Sequence, residues 1–278
     1  MVPGQGQTRQ LAAERLPRPR AAPAPRHCPM SPVHPAVARR LFYRHRRRIT
    51  AAAALLAANA GFVNAVALTA AARPVSHHTG SLARLTGDLA AGRQEDALPV
   101  LLLLGAFFGG AAAAGAIVGT RYLLPRRRYG VVLVLEGGLL ATSAATLGAR
   151  PLAGLALAAA ACGLQNGMAN TFYGVVVRTT HISGLLTDLA VLTGQWLRRR
   201  PVEGWRAGFQ GGVIAGFAAG GVLGTLAARR AGPLALDVPA AVCVLGAGAY
   251  LGWMHATRRR RDRAHPATRD DSMPDARE

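Results

Sequence analysis

The chain has 278 residues, of which 51% are apolar and only 13 are acidic, and every one of its 33 basic residues is arginine. A net charge of +20 would ordinarily suggest nucleic acid as a partner. The arginines, however, collect in the N-terminal tail, in short loops and after the last apolar run, between segments too apolar for a soluble domain. That placement argues against nucleic acid and for a lipid bilayer, with the charge setting positive-inside topology and attracting anionic lipid.

Residues 1–48 are rich in Pro, Arg and Ala, with no apolar stretch that could form a signal-peptide core. They read as a disordered cytoplasmic tail. Translation from Met1 or from Met30 is equally compatible with this composition. A membrane domain follows over 49–256 and a second charged tail over 257–278. Cys28, Cys162 and Cys243 form no close-spaced motif, so neither a disulfide framework nor a zinc site is expected. No cofactor is implied.

Six apolar runs follow in order, at 50–72, 98–120, 131–149, 151–173, 207–227 and 235–255, most of them near the ~20 residues needed to cross a bilayer. Arg39, Arg40, Arg44 and Arg46 to Arg48 precede the first run, and Arg126 to Arg128 follow the second. Arg198 to Arg200 precede the fifth and Arg258 to Arg261 follow the sixth. With six crossings all of these lie on one side, which puts both termini in the cytoplasm.

The chain states one pattern twice. Gly61-Phe62-Val63-Asn64 is followed, thirteen residues after the Asn, by His77-His78-Thr79-Gly80-Ser81-Leu82. Gly163-Leu164-Gln165-Asn166 is followed, fifteen residues after the Asn, by His181-Ile182-Ser183-Gly184-Leu185-Leu186. Three crossings separate the copies, an odd number, so the halves 49–149 and 150–256 would be inverted relative to each other. The expected architecture is an all-α membrane protein with six transmembrane helices as an inverted 3+3 repeat. In such proteins substrate sites lie near the midplane between the halves.

Residues 76–93 and 180–197 are each about one helix long, yet shorter or more polar than an ordinary span. Thr79-Gly80 and Ser183-Gly184 read as helix-start devices, the hydroxyl serving as cap. Leu82, Leu85 and Leu89 form one stripe, with Arg84 and Asp88 elsewhere on the helix. Either the two segments are re-entrant, presenting helix N-termini to an anion or a carbonyl, or they are amphipathic surface helices.

The repeated pattern resembles the YoaK family of bacterial integral membrane proteins, a domain of unknown function. The second copy is the closer, with Gly163-Leu164-Gln165-Asn166-Gly167 and then Arg178-Thr179-Thr180-His181-Ile182-Ser183-Gly184 through Thr187-Asp188. In the first copy Asn64 stands where the family usually has Asp, His78 replaces a Met and Ser81 an Asn. The resemblance covers roughly 48–255. It implies six spans and a cell-membrane location, and brings no substrate with it.

Individual polar residues then become candidates. His77 and His181 occupy matching positions and can switch protonation or bind an anion; a neutral imidazole bonded to a backbone carbonyl is the plainer reading. A three-nitrogen metal site from His77, His78 and His181 has no supporting carboxylate or Cys spacing. Asn64, Gln165 and Asn166, inside spans, and Thr180, beside His181, can bind a solute or bridge helices. Glu136, the clearest intramembrane acid, must be protonated, paired or facing water, and is a proton-coupling candidate. Arg178 and Asp188 are candidates for an ion pair. Span five carries Gly208, Gly212, Gly216, Gly220 and Gly224, and span two Gly105, Gly109, Gly115 and Gly119, both read as close-packing faces.

Two functional classes remain. One is a secondary transporter or permease for a small polar or anionic solute, with Asn64, His77, Thr79, Gly80, Gln165, Asn166, Thr180, His181, Ser183 and Gly184 as binding residues. The other is a membrane-embedded enzyme or lipid-binding protein using His181 and Asp188. No catalytic nucleophile motif and no nucleotide-binding loop favours direct catalysis or ATP drive. Self-association into a homo-oligomer is left open by the sequence.

Overall fold

Alanine and leucine dominate the apolar runs, and both lose little freedom in a helix. A computed structural model describes residues 35–119, 127–169 and 179–264 and has no strand among them. The described α-helices are α1 Pro35–Ala71, α2 His78–Ala90, α3 Gln94–Val118, α4 Arg127–Leu147, α5 Pro151–Ala169, α6 Ile182–Leu197, α7 Gly204–Ala231 and α8 Asp237–Ala264. The helix α1 thus begins inside the segment that composition alone assigns to a disordered tail. Proline is favoured at a first helical position, and the arginines that follow are good helix formers.

Five stretches are long and apolar enough to cross a membrane: His45–Ala71, Ala97–Val118, Arg127–Leu147, Pro151–Ala169 and Gly204–Thr257. Six runs were expected. The fifth stretch holds both α7 and α8, because the 3-10 turn Gly232–Leu236 joins them without an intervening polar loop. Gly232 ends α7 at φ 58°, a left-handed conformation that costs glycine little. At the end of α1, Ala72 takes φ 52° and Pro74 follows, so the helix cannot continue.

The helices pair across the chain. α1 lies against α7 and α5 against α3, while α2 runs along α3 and α6 along α7. α4 packs on both α5 and α8. In lipid no hydrophobic gradient drives helices together, so packing depends on close backbone approach at small residues. A β-carbon at Gly61 would strike the carbonyl of Phe217, and one at Gly220 the carbonyl of Ala58. On the other pair, Gly163 meets the carbonyl of Phe107, and Gly110 that of Ala160.

The expected glycine faces are half right. On α7, Gly216, Gly220 and Gly224 press on α1, whereas Gly208 meets nothing within 4 Å. On α3, the stripe of Gly105, Gly109, Gly115 and Gly119 meets nothing within 4 Å and is not the packing face. The face used is Leu103, Gly110, Ala114 and Val118, all buried. Alanine serves there as the small residue, and in an alanine-rich helix that choice leaves no contrast to read. Gly220→Val is therefore expected to force α1 and α7 apart, at about 1–3 kcal/mol or more. Gly105→Ala is expected to stay within about 0.5 kcal/mol of the parent. Thermal unfolding of the purified variants in detergent measures both.

Candidate functional site

The Gly-x-x-Asn unit has two jobs in one helical turn. Its glycine sits at the helix crossing, and its asparagine, three residues on, reaches the chain that follows the helix. Asn64 is buried, and its Oδ1 accepts hydrogen bonds from the Val75 N–H at 3.2 Å and the Ser76 hydroxyl at 3.1 Å. The Nδ1 of His77 lies 3.2 Å from the same oxygen. In the second half, Asn166 Oδ1 accepts from Thr180 at 3.1 Å and from Thr179 at 3.4 Å. Asn64 stands seven residues before the end of α1, about 10 Å along the axis. The chain leaving α1 therefore folds back by that depth before α2 starts.

His77 and His181 are the N-cap residues of α2 and α6, and neither makes a side-chain cap hydrogen bond. Thr79 and Ser183 lie one residue inside the helices, so the hydroxyl caps expected from sequence are not formed. The glycines also differ. A β-carbon at Gly184 would collide with the His181 ring, which folds over its own first turn, whereas Gly80 has nothing within 4 Å. His77 instead turns toward Asn64, with its ring 6.1 Å from Phe217 in an edge-on arrangement. His78 packs 3.9 Å, ring centre to ring centre, from Phe107, and its Nε2 is buried with no hydrogen-bond partner.

These pieces converge on one cavity of about 550 Å3. His77, Thr79 and Gly80 line it from the first half, and Asn166, Thr180, His181 and Ser183 from the second. Ser76, His78 and Phe107 complete the polar and aromatic wall. The volume falls in the range of small-molecule sites. Partial burial lowers the His77 imidazole from its ordinary value. His78 is lowered by the same cause and further by its neighbour His77. Both rings are therefore neutral near pH 7, each with one donor and one acceptor nitrogen.

Other sequence candidates lie elsewhere. Asn64 and Gly184 shape the cavity without lining it. Gln165 and Glu136 belong to a separate buried cluster, 1% and 2% exposed. There the Asn59 amide donates to Glu136 Oε1 at 3.1 Å, to Gln165 Oε1 at 3.2 Å and to Cys243 Sγ at 3.4 Å. The Gln165 amide donates to the Leu56 carbonyl at 2.8 Å and to Thr179 Oγ1 at 3.1 Å. Because Thr179 reaches Asn166, the cluster around Glu136 is bonded through to the cavity wall. Asn59 was missed by sequence reasoning, although a lone amide in Ala-Leu-Leu-Ala-Ala-Asn-Ala-Gly is the same costly signal as Glu136.

Arg178 lies outside the described residues. Asp188 is exposed on α6, two turns from His181 or about 10 Å, and does not line the cavity. On α2 the buried face is Leu85 and Asp88, while Leu82 and Leu89 point outward. The Leu82–Leu85–Leu89 stripe is thus split, and Asp88, read from sequence as lying elsewhere on the helix, is buried beside Leu85 and binds Arg93 at 2.7 and 3.2 Å. Among the described residues no three His, Cys, Asp or Glu side chains converge as a metal set, so the three imidazoles share a cavity but not a ligand geometry.

A family model described as Protein of unknown function (DUF1275) matches residues 52–249, which includes both Gly-x-x-Asn units and both His-bearing helices. The chain belongs to the DUF1275 family. With its long apolar helices it is a membrane protein of that family, whose function is unknown. No curated protein and no solved structure matches it.

Two outcomes follow for the histidines. Diethyl pyrocarbonate modifies neutral imidazole, so His77 and His78 are expected to stay reactive below pH ~6.5, where an ordinary imidazole is half protonated. A midpoint at or above that value, read by peptide mass spectrometry, would contradict the burial argument. Gly184→Ala is expected to displace His181 and change its modification rate, while Gly80→Ala leaves His77 unaltered.

Proposed function

We propose that this DUF1275 member is a secondary transporter or permease for a small polar or anionic solute, working through two inverted halves in the cell membrane. The observation that carries this reading is the cavity itself: the His-hydroxyl-Gly units from the two halves, far apart in sequence, line one space. The uncapped starts of α2 and α6 bring first-turn N–H groups to that space, and these suit a carbonyl or anionic group. Neutral His77 donates its Nδ1–H to the Asn64 amide oxygen, so its Nε2 is the acceptor left for the solute.

The stretch Gly204–Thr257 would measure about 80 Å as one straight helix, against about 30 Å of hydrocarbon. We count it as two crossings and the chain as six. The packing supports an inverted 3+3 duplication. Exchanging the halves turns the α1–α7 pair into the α5–α3 pair. It also turns Gly61 against Phe217 into Gly163 against Phe107, and Gly220 against Ala58 into Gly110 against Ala160. The fold-back to the level of Asn64 supports re-entrant rather than surface placement of α2. Arginine placement supports cytoplasmic termini.

Glu136 is the proposed coupling group. It is joined through Asn59, Gln165 and Thr179 to the Asn166 clamp, so a change in its protonation would be felt at the loop before α6. Rocking of the halves about the glycine contacts would then expose the cavity to alternate sides.

Proteoliposomes tested with nitrate, phosphate, acetate and succinate check the reading. Flux of at least one of these is expected, and His77→Ala and His181→Ala should each lower it by about tenfold, the equivalent of one or two lost hydrogen bonds. Flux indifferent to both changes would sink the assignment of the cavity. Topology is tested separately with Ser81→Cys and Leu185→Cys. A membrane-impermeant thiol reagent is expected to reach them from opposite faces, and labelling of both from one face refutes the inversion.

A further inference from the structure

The start of α2 separates two cavities. Gly80 lines the large one described above and also a smaller one of about 150 Å3 on the other side of the turn. Arg73, Pro74, Ser81 and Arg84 wall the smaller space, over Val100 and Leu103 of α3. We propose that this space is an anion-binding vestibule, in which Arg73 and Arg84 receive a small oxyanion of phosphate or carboxylate type beside the His cavity. The inference deepens the transporter reading and rests on it for the passage of the ion onward past Gly80.

The local charge favours an anion. Arg73 and Arg84 both line the smaller space, and among the described residues no carboxylate lines it. Arg93 binds Asp88 Oδ1 at 2.7 Å, and Asp88 Oδ2, buried without a hydrogen-bond partner, lies 3.8 Å from Arg84 Nε. The terminal nitrogens of Arg84 are thus left to bind something else, and the guanidinium fork matches an oxyanion with two parallel hydrogen bonds. Gly80 adds a separate observation. A β-carbon there would meet nothing within 4 Å, so packing does not require a glycine at this position. Gly80 lines both spaces, and its N–H is among the first-turn donors of α2 that no side chain caps.

The second half lacks this device. Seven residues after His77 stands Arg84, and seven after His181 stands Asp188. Four residues after His77 stands Ser81, and four after His181 stands Leu185. Of the two arginines, the Arg84 position thus carries an acid in the second half, while Arg178, the arginine that precedes His181, lies outside the described residues.

The test is arginine modification by phenylglyoxal on the full chain in maltoside micelles, mapped by peptide mass spectrometry. Inorganic phosphate is expected to protect Arg73 and Arg84 and to leave Arg229 and Arg230, the exposed pair near the end of α7, reactive. Arg84→Gln should raise the phosphate concentration that half-protects Arg73 by about tenfold, one charge-assisted contact being lost. Protection seen only in phosphatidylglycerol nanodiscs, without phosphate, would identify a lipid headgroup as the ligand and overturn the vestibule. Equal protection of all four arginines, or of none, overturns the site. Selective protection without flux upholds the anion site and removes the transporter reading. Flux that survives Arg73→Gln and Arg84→Gln with unchanged KM removes the vestibule alone.

Discussion

Gly61 leaves no room for a side chain between α1 and the backbone carbonyl of Phe217, and Gly163 does the same between α5 and Phe107. That pair of close approaches is the constraint on which the other features depend. It sets a helix from one half against a helix from the other, so neither half is packed without its counterpart. It also orients Asn64 and Asn166, three residues further along, toward Val75 to His77 in one half and Thr179 and Thr180 in the other. A bulkier residue at either glycine would move the asparagine away from the loop it holds.

The asparagines then solve a problem that an apolar medium makes acute. A non-helical segment that folds back beside a membrane helix carries N–H and hydroxyl groups that lipid cannot satisfy. One amide oxygen in each half receives them. The result is a helix that starts beside the preceding helix with first-turn N–H groups that no side chain caps and a histidine at its head. The halves are alike in this and unlike in detail. His181 lies over the bare backbone of Gly184, while His77 turns to Asn64, and only the first half adds a second histidine, His78. The cavity between them is accordingly asymmetric.

How much was legible in the sequence differs by residue. The two Gly-x-x-Asn and His-x-hydroxyl-Gly units were legible because polar groups beside long apolar runs are costly and rarely repeat by accident. The location of His77, Thr79, Gly80, Asn166, Thr180, His181 and Ser183 around one cavity bears on that pattern directly. The roles of Asn64 and Gln165 were not legible, since an amide inside a span looks the same whether it faces a solute, a loop or another amide. The hydroxyl caps were misread because a helix start shifted by two residues turns a cap into a first-turn residue. The α3 stripe was misread because glycine stands out in a sequence and alanine does not, although both permit close packing. Asp88 was placed on the polar face because its partner, Arg93, lies beyond the helix end, where periodicity carries no information.

Sequence by itself determined the class of molecule, the duplicated signature and the family. These depend on composition and on local pattern, which a bilayer constrains severely. Tertiary structure decided which glycines touch, which amide holds which loop, and that Glu136, Asn59 and Gln165 form one buried cluster rather than part of the cavity. Those outcomes depend on distances between helices far apart in the chain. Many small residues could have made the same crossings, and only the packed arrangement selects among them.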